Sequence, residues 1–292
     1  MTNSTPTFMR RGVTLIEMLV GMVIFAIIGA LCTKLITVQG RFFDRQGMSN
    51  AARNVSRAAL NRVISDFRMI EANGGVLAAS PTSLTIRIPF AIGVVCANNA
   101  AGNATVVSLL PVDSTTYKNA GYYGYAWRNF QTGAYSYVEN PSTEADGDAA
   151  VAAVCTGVNL TTVPPGKVVS LTPVLPALAG LGAPVFLYAR VRYDLMASAA
   201  VPGKIGLYRT QIAPNGAQST EELVAPFANT AKWRFFVVSN STTAQDAAPA
   251  QLSTLRGLEL HLDGISEYVA AGVASNESAP FTTAVFFKNR TN

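Results

Sequence analysis

Histidine is all but absent from this chain: His261 is its one example in 292 residues. That excludes any dyad or metal cluster built on two imidazoles. Cysteine numbers three, and Cys32, Cys96 and Cys155 match no paired zinc or redox spacing. Charged residues make up only 13% of the chain. There is no Gly-x-Ser-x-Gly elbow and no phosphate loop, so the common nucleophile and nucleotide motifs are missing too. The net charge is +5, but the basic excess forms no nucleic-acid groove, because Arg10, Arg11, Arg41, Arg45, Arg53, Arg57, Arg62 and Arg68 lie along the N-terminal quarter. A hydrophobic share of 49%, with Thr, Asn, Ser and Gly as the main polar residues, suits an exported β-rich domain carrying an anchor.

Proline is missing from Val13 to Ala72. Within that stretch Val13–Leu31 is apolar over about 19 residues, which as a helix covers roughly 29 Å and is enough to cross a bilayer. Arg10 and Arg11 precede it and, by the positive-inside rule, hold Met1–Gly12 in the cytoplasm and send the rest across. An ordinary secretory signal places its small cleavage residue after the apolar core. Here the small residue, Gly12, comes before it, so cleavage between Gly12 and Val13 removes the leader and leaves the anchor in place.

Glu17 is the anomaly in this run. An acidic residue at the centre of a membrane helix costs roughly 2.5–3.5 kcal/mol and less near the end, and none of the basic residues lies within reach on the same helix. Cutting at Gly12 would create an α-ammonium on each chain, able to pair with Glu17 of a neighbour and fix their stagger. The plainer alternative is a Glu that snorkels to the membrane surface.

Arg10-Arg11-Gly12-Val13-Thr14-Leu15-Ile16-Glu17-Met18-Leu19-Val20 resembles the class III leader and N-methylation motif of type IV pilins and type II secretion pseudopilins. The resemblance implies cleavage by a prepilin peptidase after Gly12, N-methylation of Val13, and subunit registration through Glu17. Val13 stands where the family usually has Phe, which bears on methylation more than on cleavage.

Beyond Lys34 the helix is expected to continue to about Ala72, with Met48, Ala52, Val55, Ala59, Val63, Phe67 and Ile70 as an apolar stripe and Asn73-Gly74-Gly75 as a stop. Gly40 and Gly47 are its weak points. Strands are expected at Ser83–Phe90, Val185–Leu195, Lys204–Ile212, Trp233–Val238, Leu255–Leu262 and Thr282–Lys288. The stretch 91–184 reads as an irregular insertion with a few strands. The fold class is α+β: a long N-terminal helix, transmembrane then amphipathic, on a mainly antiparallel sheet. The domain division is a leader at 1–12, a membrane or filament-core helix at 13–38, its amphipathic continuation at 39–72, and a periplasmic head at 73–292.

In a periplasmic head Cys96 and Cys155 would form a disulfide closing a loop of about 60 residues, worth on the order of 4 kcal/mol; the alternative is two buried thiols. Tyr122, Tyr123, Tyr125 and Trp127, in a tract with Tyr117, Tyr135 and Tyr137, are either strand packing or a partner surface, with nucleic acid disfavoured for want of interleaved Lys and Arg. His261 shares a strand face with Glu259 and Asp263, which reads as a polar face before a metal site, so no metal is assigned. Glu139, Glu144, Asp146 and Asp148 form an acidic loop that calcium could occupy, but their spacing matches no calcium signature and a solvated loop is preferred, so no cofactor is assigned.

A second resemblance runs through Tyr193, Gly206-Leu207-Tyr208-Arg209, Glu222-Leu223-Val224 and Trp233-Arg234-Phe235-Phe236, which are similar to the C-terminal half of J-type minor pseudopilins and W-type minor pilins. Val285-Phe286-Phe287-Lys288-Asn289-Arg290 looks like endings among the latter. The resemblances imply a non-enzymatic minor subunit in a tip or initiation complex, with other pilins, prepilin peptidase, an inner-membrane assembly platform and lipid as partners. The competing readings are a single-span periplasmic binding protein, and an adhesin or DNA-uptake receptor on a pilin frame.

Overall fold

The computed structural model describes residues 12–71, 73–99, 104–110, 112–113, 117, 121–139, 145–146, 155, 158, 168–237 and 242–287. Helix α1, Leu15–Arg68, is one unbroken rod of 54 residues, about 81 Å long. It runs through Gly40 and Gly47 without interruption. Met69 ends it sooner than expected, its N–H turning back to the carbonyls of Asp66 and Phe67. Gly74 then reverses the chain at φ +83°, a conformation that glycine adopts without a Cβ clash.

Among the described residues thirteen strands follow: β1 Val76–Ala79, β2 Ser83–Asn99, β3 Ala104–Leu109, β4 Gly124–Arg128, β5 Tyr135–Glu139, β6 Ala145–Asp146, β7 Val168–Leu171, β8 Pro184–Ala197, β9 Ile205–Ile212, β10 Gln218–Phe227, β11 Lys232–Phe236, β12 Gly257–Ile265 and β13 Ser278–Phe286. They join one sheet in the order β11-β12-β10-β9-β8-β2-β3-β7-β6, with β1 on β2, β4 on β8, β5 on β4, and β13 on β12. Every pairing is antiparallel. The architecture is therefore α+β, a long helix on a large curled antiparallel sheet.

Strands β1 and β10 escape the alternation pattern for physical reasons. β1 has only four residues, and the first half of β10, Gln218–Glu221, is exposed, so nothing selects an apolar face there. Val238 and Lys288, expected strand ends, lie outside the described residues, as does Ala72. The stretch 91–184 extends the main sheet, because β2 runs on to Asn99 and recruits β3, while β4 pairs with the first half of β8.

Two cores result. The first places Ala59, Val63 and Phe67 of α1 against Leu84, Ile86, Val191, Tyr193, Trp233 and Leu260. The second gathers Val95, Val107, Tyr125, Trp127, Val169 and Leu187 farther along β2 and β8. Phe67 sits 5.6 Å from the Tyr193 ring and 5.2 Å from Trp233. The helix is thus keyed to the sheet by aromatic contact at its C-terminal end, while its N-terminal half projects free.

Candidate functional site

From residue 12 to residue 47 every side chain is exposed. Leu15 is 84% and Phe25 79% accessible, values that no soluble helix sustains along its length. α1 is long and apolar enough to cross a membrane. The hydroxyls along it are satisfied internally, as Thr37 donates to the carbonyl of Thr33 at 2.9 Å and Thr33 to that of Gly29. This is the arrangement a polar group needs in lipid, where water cannot serve as partner.

Thr14 caps the helix and Glu17 is its third residue, forming a capping box. The backbone N–H and the hydroxyl of Thr14 both donate to Oε2 of Glu17 at 2.9 Å, and the Glu17 N–H donates to the Thr14 hydroxyl at 3.4 Å. Position also helps, since a carboxylate in the first turn sits against the positive end of the helix dipole. Lys34 is about 26 Å farther along the rod, out of reach. Gly12 and Val13 precede the cap outside the helix, with Val13 73% accessible. Arg10 and Arg11 lie outside the described residues.

Of the two readings of the aromatic tract, burial of its named residues favours strand packing. Tyr123, Tyr125 and Trp127 are buried, and Tyr122 packs half-buried against the second core. The reason is topological: β4 lies between β5 and β8, so its residues Gly124–Trp127 are enclosed. The Tyr125 hydroxyl donates to the carbonyl of Pro173 at 2.5 Å, and burial pushes its pKa up to about 12. Nearby, Arg87 lies 4.4 Å over the Tyr137 ring and pairs with Glu139 at 2.9 Å. Cys96 and Cys155 are bonded, with Cα atoms 4.8 Å apart, in a small core with Val106 and Val168.

The three polar residues on β12 are drawn into separate contacts. Glu259 accepts from Arg234, the imidazole of His261 shares a hydrogen bond with Thr282 at 3.0 Å, and Asp263 accepts from Thr230 at 2.9 Å. Among the described residues no three His, Cys, Asp or Glu side chains are grouped to hold a metal. In the acidic loop, Glu139 is taken by Arg87, and Glu144 and Asp148 lie outside the described residues.

Two polar devices have no signature in the sequence. Asp66, on the packed half of α1, accepts from the Tyr193 hydroxyl and lies 3.7 Å from Arg209, which ties the helix to β8 and β9. Glu222 accepts from the Ser198 and Tyr208 hydroxyls and from the N–H groups of Ala199 and Ala200, so that one carboxylate organises the β8–β9 turn. Each joins residues far apart in the chain, so local pattern carries no trace of it.

The prokaryotic N-terminal methylation motif matches residues 8–33. This supports a class III prepilin leader and a type IV pilin-like or pseudopilin precursor. No curated protein and no solved structure matches the chain.

Proposed function

We propose that the chain is a minor pilin or pseudopilin, a structural and non-catalytic subunit of a type IV pilus or type II secretion pseudopilus. Its helix anchors it in the inner membrane with the head in the periplasm, and it then enters a short filament or tip complex. The observation that carries this reading is Glu17, a carboxylate in the first turn of a helix that is apolar and exposed over its N-terminal half, inside the stretch that matches the methylation motif.

Prepilin peptidase cuts between Gly12 and Val13, and the Val13 amine is methylated. Both bonds from Thr14 fall on Oε2 of Glu17. Oε1 is left to accept from the Val13 ammonium of a neighbouring subunit, and the pair sets the axial stagger. Close packing of Val13–Val38 supplies cohesion without help from water. Other pilins, the peptidase and the assembly platform are the partners, and a large head agrees with the J-type and W-type minor subunits.

Mass spectrometry of the membrane-extracted protein tests the processing step: the N-terminus is expected at methylated Val13, and a retained Met1 sinks the reading. The registry step is separate. Glu17→Ala is expected to be processed normally and yet be lost from filaments, and incorporation equal to the parent's would refute a pairing role.

A further inference from the structure

β13 ends the sheet on the side away from β9, and among the described residues no strand pairs with its outer edge. Phe287 donates to the carbonyl of Arg256, and the carbonyl of Glu277 accepts from Ser266, so odd-numbered residues of β13 turn their N–H and C=O groups toward β12. The even-numbered residues Thr282, Ala284 and Phe286 therefore direct theirs away from the sheet, and among the described residues no strand meets them. Natural edges are commonly blunted by charge, proline or a bulge. Ser278–Phe286 carries no charged residue and no register shift, and Pro280, which lacks an N–H, guards only one end.

A second feature lies at the Ser278–Phe281 end of the same strand. Arg53 and Arg57 stand one turn apart on α1 and line a cavity of about 280 Å³ with Ser56, Ser278, Pro280 and Phe281. Both are exposed, and among the described residues neither has an ion-pair or hydrogen-bond partner. In the head, Arg87, Arg192, Arg209 and Arg234 each meet a carboxylate, and Arg190 donates to the Tyr123 hydroxyl. Two unneutralised guanidinium groups beside a row of free backbone donors and acceptors complement one kind of ligand.

We propose that this edge docks an extended acidic segment of another protein, which adds a strand to the sheet beside β13. Its backbone pairs with Thr282, Ala284 and Phe286, and carboxylates on every second residue, all on the helix side, reach Arg53 and Arg57. A neutral strand would leave both cations without a counter-charge, and a basic one would be repelled. The site involves neither Glu17 nor the exposed half of α1, so it stands or falls apart from filament registry.

The test uses the full chain in detergent micelles and a short synthetic peptide alternating Glu with Val, beside its counterpart with Lys in place of Glu. The Glu peptide is expected to slow amide exchange at Thr282, Ala284 and Phe286, with affinity that falls as salt rises, while the Lys peptide does neither. Ala284→Pro removes an outward donor without breaking the β12 ladder and is expected to weaken binding about tenfold at unchanged thermal stability. The double change Arg53→Glu and Arg57→Glu is expected to reverse the preference toward the Lys peptide. Failure of the Glu peptide to bind, equal binding of the two peptides, protection elsewhere on the molecule, or indifference to Ala284→Pro would each overturn the proposal.

Discussion

Glu17 and Glu222 meet the same requirement, a carboxylate held by nearby donors, in opposite ways. Glu17 uses one residue three positions away, whereas Glu222 collects donors from a turn more than twenty residues earlier and from Tyr208. Burial pushes the Glu222 pKa up, but the bonds from Ser198, Tyr208, Ala200 and Ala199 outweigh it and leave the carboxyl below its ordinary 4.5. A depressed folded-state pKa gives stability that is present above the unfolded value and is lost as pH falls through the folded one. Asp246 acts in the same direction, held low by Lys232 and Arg234. Acid unfolding followed by circular dichroism should therefore show stability falling below about pH 4.5. Glu222→Gln should be less stable at neutral pH and flatter through that window, and a slope identical to the parent's would remove Glu222 from the account.

At the scale of elements, the packed half of α1 depends on a close approach as well as on its apolar stripe. Val55, Ala59, Val63, Phe67 and Ile70 meet the first core, as their spacing indicates, and Ala52 is buried beside Gly264. Ser56 is also buried, and its hydroxyl accepts from the N–H of Gly264 at 3.1 Å. A Cβ on Gly264 would lie 2.2 Å from the carbonyl oxygen of Ala52 and 2.4 Å from the Ser56 hydroxyl. Neither atom is the end of a flexible chain, so Gly264→Ala should cost about 1–3 kcal/mol, read as a lower denaturant midpoint. Tyr193→Phe tests the polar clamp on the same interface. Losing its bond to Asp66 should cost about 2 kcal/mol, the range for a hydrogen bond to a charged group, with little change in the slope of unfolding.

For the molecule as a whole, β2 and β8 matter most, because each runs through both cores and pairs with the other over most of its length. The disulfide joins positions 59 residues apart near the far end of β2 and buries both sulfurs with Val106 and Val168. Replacing both Cys96 and Cys155 by Ser should release a loop whose closure is worth up to about 4 kcal/mol. Hydrogen exchange should then show β3 and β7 opening before the helix-bearing core. Simultaneous loss of protection in both cores would mean that they do not unfold separately.

The sequence by itself determined the anchor, the carboxylate in its first turn, the amphipathic continuation of the helix and most strands of the head, because hydropathy and periodicity act between neighbours along the chain. It even contained the aromatic tract, although nothing local says which way a ring will face. Tertiary structure alone decided that β4 would be enclosed by β5 and β8, that Asp66 would meet Tyr193, and that β13 would be left as an open edge beside Arg53 and Arg57. Each of these follows from which distant segments come together, strands by pairing across the sheet and the helix by docking on it, and neighbours along one segment do not specify that.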